Sequence, residues 1–214
     1  MIPVKLAPEP LSFHETVRVP GQEFLRSQGI QNLADKPTGK IDWSNYQFWR
    51  ICSKDLYDSY QGICCYVGMR INGPLFVNEK SVEHFIPKSI QPFLAYEWSN
   101  YRLACRKANS DRGTKPVIDP FTVCPNEFRL NLLNGELYPD PSLSDKRRLQ
   151  VLETINNIGL NQNFWSRLRL QYYNYYLNNL KGTSIIELQE FLEKNAPIVL
   201  AELKRPVRKI IISD

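Results

Sequence analysis

Apolar positions change their spacing along this chain, and the change marks out its elements. Across residues 141–214 they recur at three and four, the period of a helix face. Leu149, Leu152, Ile155 and Ile158 share one such face. Phe164, Leu168, Tyr172, Tyr175 and Tyr176 share another, read as core with a partner surface as the alternative. Ser184-x-x-Glu187 is a capping box that opens a third helix, with Leu188, Phe191 and Leu192 turned inward. Upstream the period falls to two. Phe128, Leu130 and Leu132 alternate before Asn134-Gly135 and Leu137, which predicts a β-hairpin closed by a type I′ turn. Residues 63–67, 75–77, 82–85 and 101–104 read as short strands, with Asn72-Gly73-Pro74 as a turn. Residues 105–112 read as a helix that Gly113 ends.

Nearer the start, Pro3, Pro8, Pro10 and Pro20 fix φ and remove donors, so residues 1–20 read as an extended leader on the surface. Residues 22–28 predict a short helix ended by Gly29, and 30–42 a loop. Trp43, Tyr46, Phe48 and Trp49 have the spacing of a core anchor rather than of a base-stacking platform. Ser53 is placed to cap a second helix, with Leu56, Tyr57 and Tyr60 on one face and Gly62 as its end. The loop 87–99 carries Pro92, Phe93, Tyr96 and Trp98, which need burial. The expected class is α+β. Residues 1–42 form a leader and loop, 43–140 a core with its preceding helices and following hairpin, and 141–214 a helical region packed on that core.

Composition adds bounds. With 214 residues, 43% hydrophobic and 12% aromatic, the chain holds enough apolar surface for a core. It has no run of eighteen apolar residues, so no membrane span is expected. The first residues lack the apolar stretch of a secretion signal, which places the expected compartment in the cytoplasm. The five cysteines, an odd number, read as free thiols, with Cys64-Cys65 as small buried hydrophobes. Net charge is only +5, but its distribution matters more. Arg102, Arg106, Lys107, Arg112 and Lys115 stand against Asp111 alone between Ser99 and Lys115. Such a segment suits a polyanion, although a solvated helix face has the same look. A second cluster, Lys204, Arg205, Arg208 and Lys209, reads as a tail or partner contact.

The candidate chemistry falls in the same basic stretch. Glu83-His84 ends an apolar β-type run, Asn100 follows His84 by sixteen residues, and Asn109 comes nine later. Phosphodiester hydrolysis calls for a neutral imidazole to deprotonate water and a hard cation on the leaving oxygen. Oxygen donors such as Glu83 and the Asn109 amide suit Mg²⁺ or Mn²⁺. A Glu-His pair alone is a weak signal, and Asn100 alone is a turn residue bonding nearby backbone.

In order, type and spacing together, these residues resemble the ββα-metal motif of the HNH endonucleases, in its HNN form. The resemblance implies His84 as general base, Asn100 bracing the loop that orients it, and Glu83 and Asn109 on one divalent ion. Arg106, Arg112 and Lys115 become candidates for flanking phosphates. The implied fold is a ββα-metal (HNH) core with an extra β-hairpin and a helical C-terminal cover. Many HNH proteins frame this motif with two Cys-x-x-Cys knuckles around zinc. Here Cys64 and Cys105 hold the first position of each knuckle, while Val67 and Ala108 hold the second. Two sulfurs do not complete a tetrahedral site, so structural zinc is not expected.

A looser likeness reaches further along the chain. Pro8-Glu9-Pro10, the helix before Gly62-Ile63-Cys64, and the Ile158-Gly159-Leu160-Asn161 step are similar to the HNH proteins of retron-associated and Septu-type anti-phage systems. That likeness implies an ATPase or other defence-system subunit as partner. The expected function is metal-dependent hydrolysis of DNA in anti-phage defence. The alternatives are a non-catalytic nucleic-acid-binding or scaffold subunit on the same core, and an RNA-cleaving nuclease.

Overall fold

Two antiparallel strands and the helix that follows them position everything discussed below. The computed structural model describes residues 1–37 and 39–205, so Arg208 and Lys209 of the terminal basic cluster lie outside it. Strand β1 (Lys80–His84) pairs with β2 (Tyr101–Cys105), with Glu83 opposite Arg102 and His84 opposite Tyr101. Every residue of β2 is buried, so the strand reads as a continuous core element. Helix α3 (Arg106–Arg112) follows β2 without a loop and packs on both strands through the fully buried Ala108. Gly113, at φ +55°, ends it.

The N-terminal leader is more than a surface strap. A π-type turn at His14–Arg18 runs into α1 (Val19–Ser27). Pro20 sits in the first turn of α1, where its missing N–H is one that a helix leaves unbonded anyway. The proline therefore opens the helix three residues ahead of the expected start. Phe13 and Val17 are fully buried, and the Phe13 ring meets Trp98 and Tyr101 edge-on at 5.5 and 5.8 Å. Farther on, Cys52 rather than Ser53 occupies the N-cap of α2 (Ser53–Ser59), and no side chain bonds the free N–H groups there.

The strands expected at 63–67 and 75–77 do not form. Only the isolated bridges Ile63 to Arg70 and Gly73 to Phe76 occur there. The chain doubles back at once instead. Cys64 N–H donates to the Met69 carbonyl at 3.0 Å, and Gly68 N–H donates to the Cys64 carbonyl at 2.9 Å. These buried groups are satisfied within one turn, which leaves no row of donors for a ladder.

The hairpin is present as β3 (Phe128–Leu130) and β4 (Leu137–Pro139), but its turn differs from expectation. Leu130 pairs with Leu137, so residues 131–136 form the connection. A type I′ turn needs positive φ at both Asn134 and Gly135, and only Gly135 has it, at +73°. The Asn134 side chain instead accepts the Glu136 N–H at 2.9 Å. A Cβ on Gly135 would fall 2.2 Å from the Ser166 carbonyl oxygen, so this glycine also lets α5 (Asn163–Asn179) approach.

Helix α4 (Asp145–Ile158) is capped by Ser144 and ended by Gly159 at φ +71°. It buries Val151, Thr154, Ile155 and Ile158, whereas Leu149 and Leu152 are exposed. Helix α5 buries Trp165, Leu168, Arg169 and Tyr172, while Phe164 and Tyr175 are exposed. The inward face is rotated from the one expected because an arginine belongs to it. The fully buried Arg169 donates to the carbonyls of Gly135 at 2.8 Å and Leu160 at 2.7 Å. Helix α6 (Ile185–Asn195) opens on the expected capping box, with Leu188 and Leu192 buried. Helix α7 (Pro197–Leu203) carries Glu202, which binds Arg129 at 2.7 Å and the Leu130 N–H at 3.1 Å. Arg205 pairs with Asp140 at 2.9 Å, so it is tied to the hairpin rather than offered to a partner.

The described residues thus form a mixed α+β fold with seven α-helices and two small antiparallel sheets. No helix among them is long and apolar enough to cross a membrane.

Candidate active site

His84 ends β1 beneath a cleft of about 1010 Å³ whose walls also include Glu83, Asn109, Trp43, Trp49 and Lys88. The imidazole is 8% exposed. Trp49 and Tyr101 meet it edge-on, at 4.8 and 5.2 Å between ring centres. Its Nε2 lies 3.0 Å from the Ala95 carbonyl oxygen, which can only accept. Nε2 therefore carries the proton of the neutral ring, and Nδ1 keeps its lone pair. Nδ1 makes no hydrogen bond among the described residues. Burial lowers the His84 pKa to about 3, the nearby Lys88 charge acts in the same direction, and the bond to Ala95 opposes them. The ring is held neutral, in one tautomer and one orientation.

Asn100 holds the loop that runs from His84 to Ala95. Its Oδ1 accepts the Ile86 N–H at 2.8 Å, and its Nδ2 donates to the carbonyls of Ile86 at 3.0 Å and Leu94 at 3.1 Å. The Asn100 carbonyl accepts the Phe85 N–H at 2.9 Å. One side chain thus pins both ends of the loop. The Ala95 carbonyl that fixes His84 follows directly after Leu94, and it also accepts the Tyr101 hydroxyl at 2.8 Å.

Glu83 is 2% exposed. Its Oε1 accepts from the Tyr66 hydroxyl at 3.1 Å and from Arg112. Burial pushes its carboxyl up to about 7, against the pull of the Arg112 guanidinium and the Tyr66 hydroxyl. Asn109 Nδ2 donates to Ser81 Oγ at 3.1 Å. Glu83 Oε2 and Asn109 Oδ1 make no hydrogen bond among the described residues, and both residues line the cleft. Both are hard oxygen donors of the type that suits Mg²⁺ or Mn²⁺. No group of three or more His, Cys, Asp or Glu suited to a metal occurs among the described residues. A cation here would rest on one carboxylate and one amide, with solvent or substrate oxygens completing its shell.

The three expected phosphate contacts separate. Arg106 is exposed on the cleft wall and pairs with Glu79. Arg112 is not available to substrate, because it is 3% exposed and its guanidinium is spent internally. It binds Glu83, the His84 carbonyl at 3.1 Å, the Phe85 carbonyl at 2.7 Å and the Lys115 carbonyl at 3.2 Å. Lys115 is exposed but is not among the cleft-lining residues. Its Nζ donates to the carbonyls of Asp111 at 2.7 Å and Asn157 at 2.9 Å, joining the end of α3 to α4. The cations that do line the cleft with Arg106 are Lys40, Arg50, Lys80 and Lys88. Sequence spacing pointed to none of these four, because Lys40 with Arg50 and Lys80 with Lys88 come from two segments that lie apart from Arg106 along the chain. Only Lys88, four residues after His84, carried a local signal.

Behind the site, Cys64 Sγ lies 3.8 Å from Cys105 Sγ, and the Cys105 N–H donates to Cys64 Sγ at 3.3 Å. Val67 and Ala108 are fully buried in the same core. The four positions at which two Cys-x-x-Cys knuckles would stand are therefore packed as thiols and apolar side chains.

No family model matches the chain. Among characterised proteins, it is 26% identical over 149 residues to the Septu protein PtuB of Bacillus thuringiensis, covering 55% of each chain. The chain spans about half the length of that relative, and the similarity is a distant link to a Septu protein.

Proposed function

We propose that this protein is a metal-dependent endonuclease of the HNH type, acting on DNA as part of a Septu-like anti-phage system. The observation that carries this reading is His84, a neutral imidazole with Nε2 committed to a carbonyl and Nδ1 free at the wall of a cationic cleft. Chain order supports it, since an antiparallel strand pair leads straight into a helix that brings Asn109 to the same cleft as Glu83 and His84.

In this mechanism His84 Nδ1 takes a proton from water, which attacks phosphorus. The fixed tautomer leaves one basic nitrogen and one orientation for that step. Asn100 and the Ala95 carbonyl keep the ring from turning away. The cleft cations draw in the phosphodiester backbone and hold it near the base. Glu83 Oε2 and Asn109 Oδ1 would hold one Mg²⁺ or Mn²⁺, which when bound stabilises charge on the leaving oxygen. Distant similarity to a Septu protein supports the defence role and a second subunit, expected to be an ATPase.

The test is incubation of purified protein with supercoiled plasmid in Mg²⁺ or Mn²⁺, beside EDTA and His84→Ala controls. Nicking or linearisation by the wild type alone, and only with metal, is the expected result. Cleavage by His84→Ala would overturn the assignment of the base. A second reading, a binding or scaffold subunit without hydrolysis, is favoured by one contact, the Arg112 guanidinium on Glu83. It predicts intact plasmid in every lane, with DNA retained in a binding assay.

A further inference from the structure

The cleft holds one cation whose surroundings differ from those of the others, Lys88. Its backbone is fixed from both sides. Pro87 precedes it and restricts φ, and Ile86 is bonded through both its N–H and its carbonyl to Asn100. The Pro87 carbonyl accepts the N–H groups of Ile90 at 2.8 Å and Gln91 at 2.9 Å, which closes a turn around Lys88. The side chain then lies against two indoles. Nζ is 5.2 Å from the centre of the Trp49 ring and 5.9 Å from that of Trp43. Trp49 is the same ring that packs edge-on against His84. The base and the ammonium thus share one aromatic wall.

This ammonium has no carboxylate partner among the described residues, and none of its N–H groups makes a hydrogen bond there. Aromatic faces attract a cation through their electron-rich surface but accept no directed bonds of the usual strength. Lys88 is half-buried, and burial lowers its pKa, with Glu83 opposing. Glu83, on the same wall, is already engaged with Arg112 and Tyr66. A desolvated, positioned ammonium with three unspent donors is a preformed anion site. Lys115 and Arg112, by contrast, spend theirs on carbonyls of the chain.

We infer that Lys88 binds the phosphate undergoing attack, donating to a non-bridging oxygen beside His84. The assignment rests on the nuclease reading for its reaction and on the geometry of the cleft for its ligand. Its catalytic share follows from charge. The non-bridging oxygens gain negative charge as water adds, so a fixed ammonium binds the transition state more tightly than the ground state. The same positive charge discourages protonation of His84, which keeps the base ready.

Two variants and two substrates test this. Lys88→Met removes the charge with little change of volume, and Lys88→Arg keeps it. Far-ultraviolet circular dichroism and thermal melts establish that both fold. Turnover is measured on plasmid and on bis(p-nitrophenyl) phosphate, a diester with a single phosphate and no flanking ones. Lys88→Met is expected to lose about 100-fold in kcat on both substrates, as for removal of one transition-state donor. Lys88→Arg should recover part of that loss. A loss on plasmid alone would make Lys88 a contact to flanking phosphates and overturn the inference.

Binding of a fluorescein-labelled duplex, followed by anisotropy in EDTA, needs no hydrolysis. There Lys88→Met should weaken binding and flatten the plot of log K against log salt by about 0.9, the share of one phosphate contact. An unchanged slope with unchanged affinity would also overturn the inference. If the wild type hydrolyses neither substrate yet Lys88→Met still loses one counterion, Lys88 stands as a phosphate ligand and the nuclease reading fails.

Discussion

His84 has an ordinary imidazole environment on neither side, and its burial has a consequence for stability as well as for chemistry. Its folded-state pKa of about 3 lies below the usual 6.5. A base whose pKa is depressed on folding contributes stability that is fully present above the unfolded value and is lost as pH falls through the folded one. The window here runs from about 6.5 down to about 3. Glu83 acts in the opposite sense, because its carboxyl is raised from 4.5 to about 7. Its contribution is present below 4.5 and is lost as pH rises toward 7. The two trends oppose each other in the wild type, so the measurement must separate them. In urea titrations between pH 7 and pH 4, the wild type should lose stability relative to His84→Asn, by up to about 1 kcal/mol per pH unit. A constant difference across that range would mean that His84 titrates normally and is open to water. Asn109 is read through the metal instead. If its Oδ1 is a ligand, Asn109→Ala should raise the Mg²⁺ concentration needed for half-maximal cleavage and lower the maximal rate. An unchanged metal titration would remove Asn109 from the site.

At the scale of elements, the site is a strand end stapled to a helix end. Arg112 in the last turn of α3 reaches the Glu83 carboxylate and the carbonyls of His84 and Phe85, so it closes the ββα unit across the end of β1. Arg112→Ala would strip the buried Glu83 carboxylate of its charged partner, leaving it only the Tyr66 hydroxyl, and would release the carbonyls of His84, Phe85 and Lys115, at a cost of about 3–5 kcal/mol. The double variant Glu83→Gln/Arg112→Met should cost much less than the sum of its parts, since no charge is then stranded. Denaturant unfolding of the two single variants and the double checks this. Full additivity would place the pair in solvent. This staple was not legible in the sequence, where Arg112 reads as one more surface cation in a basic run. Local pattern reports the period of a helix but not which long polar side chain folds inward. Arg169 misled in the same way, rotating the buried face of α5 away from Phe164 and Tyr175. What was legible had short-range causes. The β1 and β2 strands, the stop at Gly113 and the capping box at Ser184 depend on neighbours a few residues away, and the aromatics of the 87–99 loop need burial whichever distant segment covers them. The bracing by Asn100 was also legible, because a turn asparagine bonding nearby backbone is what the residue does whether or not a base sits behind the turn. The four unexpected cleft cations were not, since chain separation hides a cleft assembled from distant segments.

At the scale of the whole molecule, the cleft is an electrostatic feature that the net charge of +5 does not describe. Its walls come from the segments around 37–53, 80–92 and 106–114. Each segment supplies cations, and among the described residues Glu83 is the only carboxylate on the walls. That carboxylate is neutralised by Arg112. Lys40, Arg50, Lys80 and Lys88 have no carboxylate partner among the described residues, whereas Arg106 shares its charge with Glu79. Elsewhere several arginines are held in structural pairs, as with Arg102 on Asp119, Arg129 on Glu202 and Arg147 on Glu127. Polyanion binding is therefore expected on this face, governed by the four cleft cations that have no carboxylate partner among the described residues. Each neutralised phosphate contributes about 0.9 to the dependence of log K on log salt, so duplex DNA should bind with a slope of about −3 to −4. The Lys40→Met/Arg50→Met pair, on a cleft segment separate from α3, should reduce the slope by about 2 without altering the metal requirement of whatever cleavage remains. Fluorescence anisotropy over a salt series in EDTA measures both values. A slope near −1, or one that the double variant leaves intact, would mean that DNA approaches from another face. The cleft beside His84 would then be a small-molecule pocket rather than a groove for a phosphodiester chain.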